Sequence, residues 1–164
     1  MYRRILLLLL ALSPALVPAN VALGIKKHTA HRNFEARPFG NDDFSYGAFL
    51  EFMEGPAGWR LGAMYASGLS GPGEVDSVIT PELTLLIQDG IWEAGISILR
   101  DYIDTGVETG WDRIYYQVSL GANLPVGPRA SIGIHAFYPM EKLSNISDFS
   151  FRDLDYGMVL RLRF

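Results

Sequence analysis

The chain contains no cysteine, which removes disulfides and any cysteine-based redox or metal site. It contains three histidines, too few and too scattered to announce a metal centre or a catalytic relay by themselves. It lacks any apolar run near the ~20 residues that a membrane-spanning helix requires. It also lacks basic excess. The formal charge is −4, and the loss of a leader carrying Arg3 and Arg4 would take it to −6. A chain so balanced is a poor match for nucleic acid. No internal repeat beyond a hairpin period and no low-complexity tract is visible. With 164 residues, one domain is expected. What the chain does have is apolar content, 49% of residues with a mean hydropathy of +0.14, spread through short segments despite 20% charged residues.

Those segments alternate. In Asp155 to Phe164 (DYGMVLRLRF), Tyr156, Met158, Leu160, Leu162 and Phe164 fall on one parity. Asp155, Gly157, Val159, Arg161 and Arg163 fall on the other. Successive side chains of a strand point to opposite faces, so one face is apolar and the other carries three charges. The same pattern recurs over 129–138, 113–124, 91–100, 78–88, 59–68 and 44–53. An eighth strand is expected within Asn20 to His31, where Val21, Leu23 and Ile25 alternate before Lys26, Lys27 and His28 weaken the pattern. Residues 1–19, with Arg3 and Arg4, the apolar Ile5 to Leu12 and Val17-Pro18-Ala19, have the parts of a secretory signal peptide cleaved after Ala19, with Ala22 as the alternative. No cysteine follows them to carry a lipid anchor.

Turn chemistry supports hairpins at Glu54-Gly55-Pro56-Ala57-Gly58, Asp89-Gly90 and Pro125-Val126-Gly127-Pro128. Longer loops are expected over 31–43, 69–77, 101–112 and 139–154. Eight strands put both termini with the short turns and the four longer loops at the other end, the arrangement of outer-membrane barrels. The aromatics of the apolar parity gather at strand ends. Phe52, Trp59, Trp92 and Phe164 lie at the short-turn end, and Phe44, Tyr65, Tyr138 and Tyr156 nearer the long loops. Two girdles flanking an aliphatic band suit rings at two membrane interfaces. Glycines fill the other parity (47, 62, 68, 95, 121, 133, 157), which suits the narrow interior of an eight-stranded barrel better than a solvent face.

The hairpin order and the terminal Phe164 resemble the small eight-stranded outer-membrane barrel superfamily, of the outer-membrane protein A and X type. The resemblance covers 20–164. It implies an all-β, eight-stranded antiparallel up-and-down transmembrane barrel in a bacterial outer membrane, in contact with outer-membrane lipid and lipopolysaccharide. It also implies a C-terminal strand read by the barrel-assembly machinery. A monomer is the expected state, with no cofactor.

The inward parity would hold Glu51, Arg60, Glu82, Glu93, Arg113, Arg129, His135, Asp155, Arg161 and Arg163. Buried charges are costly unless paired. The expectation is a plug in which Glu51, Glu82 and Glu93 pair with Arg60, Arg129 and Arg161, and not a polar conduit. His135 points inward near Ser119 and Ser131, and is read as a satisfied interior group. His28 and His31, with Asp42 and Asp43 nearby, lack a diagnostic metal spacing.

The role expected from this is structural or surface-binding, through the loops. Two other readings follow from the same residues. A lipid A-modifying enzyme of the deacylase kind resembles a His–x–Ser–Asn element. Here Leu143-Ser144-Asn145 supplies Ser–Asn while Lys142 stands where the histidine is wanted and Glu141 precedes it, so Ser144 would need a base from elsewhere. A soluble lipocalin-like carrier would turn the apolar parity inward. In the loops, Asp101, Asp104, Glu108 and Asp112 form an acidic set without EF-hand spacing, beside Tyr102 and Trp111. Met140, Ile146, Phe149 and Phe151 make the fourth loop a candidate contact surface.

Overall fold

A computed structural model of the chain describes residues 20–31, 34, 37–71 and 74–164. The leader expected at 1–19 lies outside them. Eight strands form a closed antiparallel barrel in sequence order: β1 (Asn20–Lys27), β2 (Phe44–Glu54), β3 (Ala57–Ser67), β4 (Ser77–Asp89), β5 (Trp92–Asp104), β6 (Thr109–Gly127), β7 (Ala130–Met140) and β8 (Asp155–Arg163). β1 closes the ring against β8, from Asn20 opposite Arg163 to Lys27 opposite Tyr156. Closure leaves no sheet edge along the wall, which is what all-antiparallel pairing achieves only in a barrel.

The three tight connections fall where the sequence puts them, but each is only two residues, Gly55-Pro56, Gly90-Ile91 and Pro128-Arg129, so that Glu54, Ala57, Gly58 and Pro125 to Gly127 belong to strands. Asp89 pairs with Trp92 across Gly90-Ile91, with Gly90 at φ 60°. Glycine takes that left-handed conformation without steric cost. The turn takes up Ile91, which alternation alone assigns to the strand. The third hairpin differs more. Residues 101–112 are not a long loop: β5 runs to Asp104 and β6 begins at Thr109, leaving four residues between them. A register shift between Arg100 and Tyr102 breaks the parity there, so the strand signal is disguised. The fourth connection starts later than expected, because Pro139 and Met140 remain in β7. It carries two short 3-10 turns, Leu143–Asp148 and Phe151–Asp153.

The apolar parity faces out. Leu23, Leu50, Leu61, Leu83, Leu85, Ile96, Ile98, Leu120, Ile134 and Leu160 are all exposed. The polar parity faces in, where Glu51, Thr84, Gln117 and Asp155 are each 0% exposed. A lipocalin-like carrier is therefore the inverse of what is built. Glycines give the interior its room: a Cβ on Gly157 would stand 2.9 Å from Phe137 Cε2, and one on Gly121 would stand 2.6 Å from His135 Cγ. The small apolar fraction of the interior gathers in patches, one of which is Ala22, Phe49, Met64 and Val159.

On the exterior, Phe44, Tyr65, Trp92, Tyr156 and Phe164 are exposed and Phe52 stacks on Trp59 with ring centres 4.1 Å apart. Tyr138 departs from the expected girdle. It is only 6% exposed, because the fourth connection folds down over it. Met140 and Leu154 pack with it, Phe149 meets its ring edge-on at 5.0 Å, and its hydroxyl donates to the Asp148 carbonyl.

Candidate functional site

The chemistry-bearing side chains lie inside the barrel in three polar layers, stacked from the short-turn end to the long-loop mouth. Strand register assembles the first. Glu51 stands opposite both Arg60 and Asn20, and Glu93 opposite Gly121, which in turn faces His135. Arg60 donates through Nε to Glu51 at 2.8 Å and through a terminal nitrogen to Glu93 at 3.0 Å. Arg161 does the same from the other wall, with Nε to Glu51 at 2.8 Å and Nη2 to Glu93 at 2.8 Å, and its Nη1 donates to Asn123. Two carboxylates are thus bridged by two guanidiniums in a closed four-membered ring of charge. Asn20 and Gln88 amides donate to the remaining carboxylate oxygens. Buried charges so paired and hydrogen-bonded meet the conditions under which burial is tolerable. His135 lies beside this ring, but it is not the satisfied group expected: Nδ1 is 3.7 Å from Glu93, beyond hydrogen-bond distance, and neither ring nitrogen has a partner among the described residues.

The middle layer belongs to Glu82. Thr84 donates to it at 2.6 Å and Ser97 at 3.3 Å, and Lys26 stands 4.0 Å away. Lys26 Nζ also donates to Gln117 at 2.9 Å and sits 4.4 Å from the centre of the Phe137 ring. The pairing of Glu82 with Arg60, Arg129 or Arg161 does not occur. Its cation is Lys26, from the strand that looked weakest in the sequence. The lysine continues the inward parity of Asn20, Ala22 and Gly24, and this was the signal available for it.

The mouth is organised on Asp155, which forms no part of the first network. Residues 28–31 and Arg37, after β1, bring four groups to this carboxylate. Arg37 donates to Oδ2 through two nitrogens at 3.1 Å, the Thr29 amide donates to Oδ1 at 2.9 Å, and His28 and His31 reach it at 3.1 and 3.3 Å. Phe34 and Phe39 are buried with them, Phe39 stacked on His28 at 3.8 Å. Burial pushes the His28 imidazole down to about 4, against the opposing pull of its hydrogen bond to Asp155. Asp43 fastens the base of this segment by accepting from the Gly40 and Ser70 amides and the Ser70 hydroxyl. Beneath it, Asp101 accepts from Thr80 at 2.6 Å and from the Tyr115 hydroxyl at 3.0 Å.

His28 Nε2 lies 2.8 Å from Ser45 Oγ, so Ser45, His28 and Asp155 line up as hydroxyl, imidazole and carboxylate. That is the order of a nucleophilic relay. The setting differs from one. Ser45 is 1% exposed with Met64 sulfur 3.6 Å from its hydroxyl, Arg37 competes for His28 Nδ1 at 3.2 Å, and Phe39 covers the ring. In this arrangement both the hydroxyl and the imidazole are buried among described residues.

Several expected positions lie elsewhere. Arg129, expected to pair with a glutamate inside, sits in the β6–β7 turn and is exposed, too far toward the end of the barrel to reach the carboxylates. Arg113 and Arg163 are exposed as well; Arg113 pairs with Glu141 at 2.6 Å on the outer rim. Ser144 lies exposed in the first 3-10 turn, while all three histidines are buried in the barrel, so no imidazole serves it. Of the acidic set, Asp101 points inward and buried, whereas Asp104 accepts from the Gly106 amide out on the hairpin tip. Among the described residues no cluster of histidine and carboxylate groups has the geometry to hold a metal ion. Arg37 was beyond sequence reasoning, since a loop arginine carries no parity; Gln117 lies on the inward parity of β6, and only register shows that it accepts from Lys26.

No family model matches the chain, and no curated protein matches it in sequence. Among solved structures it is similar to the crystal structure of Neisserial surface protein A (NspA), at 13% sequence identity with a TM-score of 0.52, over 88% of this chain and 94% of that one. At that identity the likeness establishes the fold, an eight-stranded closed antiparallel barrel.

Proposed function

We propose that the chain is an integral outer-membrane barrel whose interior is sealed by paired charges and whose working surface is its loop end. One observation carries this reading: an exterior of exposed leucine and isoleucine encloses an interior of fully buried, mutually paired ions. In water that distribution would be inside out. In a bilayer it satisfies every backbone group by strand pairing and puts the aliphatic wall against lipid. The likeness to a barrel named as a surface protein supports the same address. The fourth connection, with Phe149, Phe151 and Ile146 exposed over the outer wall, supports contact with the outer leaflet, its lipopolysaccharide or an external partner.

The test is heat modifiability in an outer-membrane fraction. A closed barrel holds its fold in detergent until boiled, so unboiled and boiled samples should migrate differently on a denaturing gel. Identical migration, with the protein in the soluble periplasm, would sink the reading. Planar-bilayer recordings test the seal separately, and steady ion conductance would show that the charge layers leave a path. The mass spectrum of lipid A from cells with and without the protein should be unchanged, since the three histidines lie buried in the barrel, away from Ser144.

A further inference from the structure

The short-turn end of the barrel opens into a vestibule of about 240 Å³, lined by Asn20, Gln88, Asn123, Ser131, Arg161 and Arg163 among others. A side recess of about 60 Å³ adjoins it and adds Arg129. The charge balance of this end is uneven. The ring behind it holds two carboxylates and two guanidiniums and is neutral by itself. The amides of Asn20, Gln88 and Asn123 already donate to Glu51 and Glu93. Arg129 and Arg163 are outside that account. The Arg163 amide donates to the Arg129 carbonyl at 2.8 Å, which places the two arginines across one rung of β7 and β8. Neither side chain has a carboxylate within ion-pair distance among the described residues. Like charges facing each other across strands repel.

We propose that the vestibule is an anion site for a phosphate group, held by the guanidiniums of Arg129 and Arg163 and the hydroxyl of Ser131. Guanidinium forks match the oxygens of a phosphate two at a time, and an anion between the two arginines converts repulsion into two charge-assisted contacts. Arg161 lines the floor, fixed by Glu51 and Glu93, and adds direction more than charge. Two sources carry this chemistry: free phosphate on that side, or the headgroup of a phospholipid in the adjoining leaflet. Only the second rests on the barrel lying in a membrane.

The experiment uses the full barrel refolded in a non-ionic detergent at 150 mM chloride. Inorganic phosphate and short-chain phosphatidylglycerol below its micellar concentration are titrated separately. The readout is the NMR shift of the backbone amides of Ala130, Ser131 and Arg163 and of the arginine side-chain N–H groups. Saturable shifts confined to this end are expected, weakened at least tenfold in R129Q/R163Q. The double variant leaves the Glu51–Arg60–Glu93–Arg161 ring intact and should keep its heat-modifiable mobility. Saturation by both probes, or by phosphate alone, establishes the free anion site. Saturation by the lipid alone assigns the headgroup. Saturation by neither, or equal saturation in the double variant, overturns the proposal. Because phosphate binding needs only the folded barrel, its failure is distinguishable from a failure of the membrane reading.

Discussion

At the scale of single residues, the barrel interior is a question of space and of charge. Gly121 is glycine because the His135 ring lies against it, with the Ile134 carbonyl also 2.6 Å from where a Cβ would be. Gly121→Ala should destabilise the folded barrel by about 1–3 kcal/mol through overpacking, read as a lower urea midpoint for loss of heat modifiability. His28 illustrates charge. Its folded value of about 4 lies below the ordinary 6.5, so the folded state binds fewer protons than the unfolded state between those limits. Stability from keeping it neutral is full above pH 6.5 and falls as pH drops toward 4, by up to about 3 kcal/mol. The groups facing it are Asp155, Arg37, Lys26 and Ser45. Exchange of the Thr29 amide, which donates to Asp155, should accelerate over that interval, and His28→Gln should flatten the dependence. An exchange rate that ignores pH in the native protein, beyond the intrinsic chemistry, would contradict this.

At the scale of elements, each strand is legible because its alternation is local, whereas the partner of each charge is not. Arg161 and Glu51 are 110 positions apart, and Arg37 and Asp155 are 118 apart. The inward parity of Glu51, Arg60, Glu93 and Arg161 could be read from β2, β3, β5 and β8 separately. That they close one ring depends on register. Removing one member breaks compensation for two others: Arg161→Ala leaves Glu51 and Glu93 sharing Arg60 alone. The expected cost is about 3–5 kcal/mol. A measured loss below 1 kcal/mol would mean that water already screens the ring. Arg129 fails the same logic for an identifiable reason. Its parity is inward, but the turn places it beyond the carboxylates. Tyr138 fails because a segment from outside the sheet, Phe149 to Leu154, covers an otherwise outward position.

At the scale of the whole molecule, the fold is seven nearest-neighbour pairings and one closure, β1 on β8. The exterior band implies a depth-dependent penalty for charge. Leu83, opposite Leu61 and Ile98 at mid-height of the wall, is 45% exposed. Leu83→Arg should cost about 2–4 kcal/mol in a bilayer and far less in a loosely packed detergent micelle. An equal cost in both would point to a packing defect in place of a lipid one.

The sequence by itself determined the number and order of strands, the tight turns and the choice of inner and outer face. Each of these is set by side-chain alternation and turn residues within about ten positions. Tertiary structure alone decided which ions meet. It made Lys26 the cation of Glu82, gathered His28, His31 and Arg37 on Asp155, drew β5 and β6 into a longer hairpin through a bulge, and left Arg129 and Arg163 facing each other with no carboxylate of the described residues at ion-pair distance. The physical reason is that periodicity fixes the direction of a side chain, while its depth in the barrel and its neighbours follow from register and closure, which no single segment encodes.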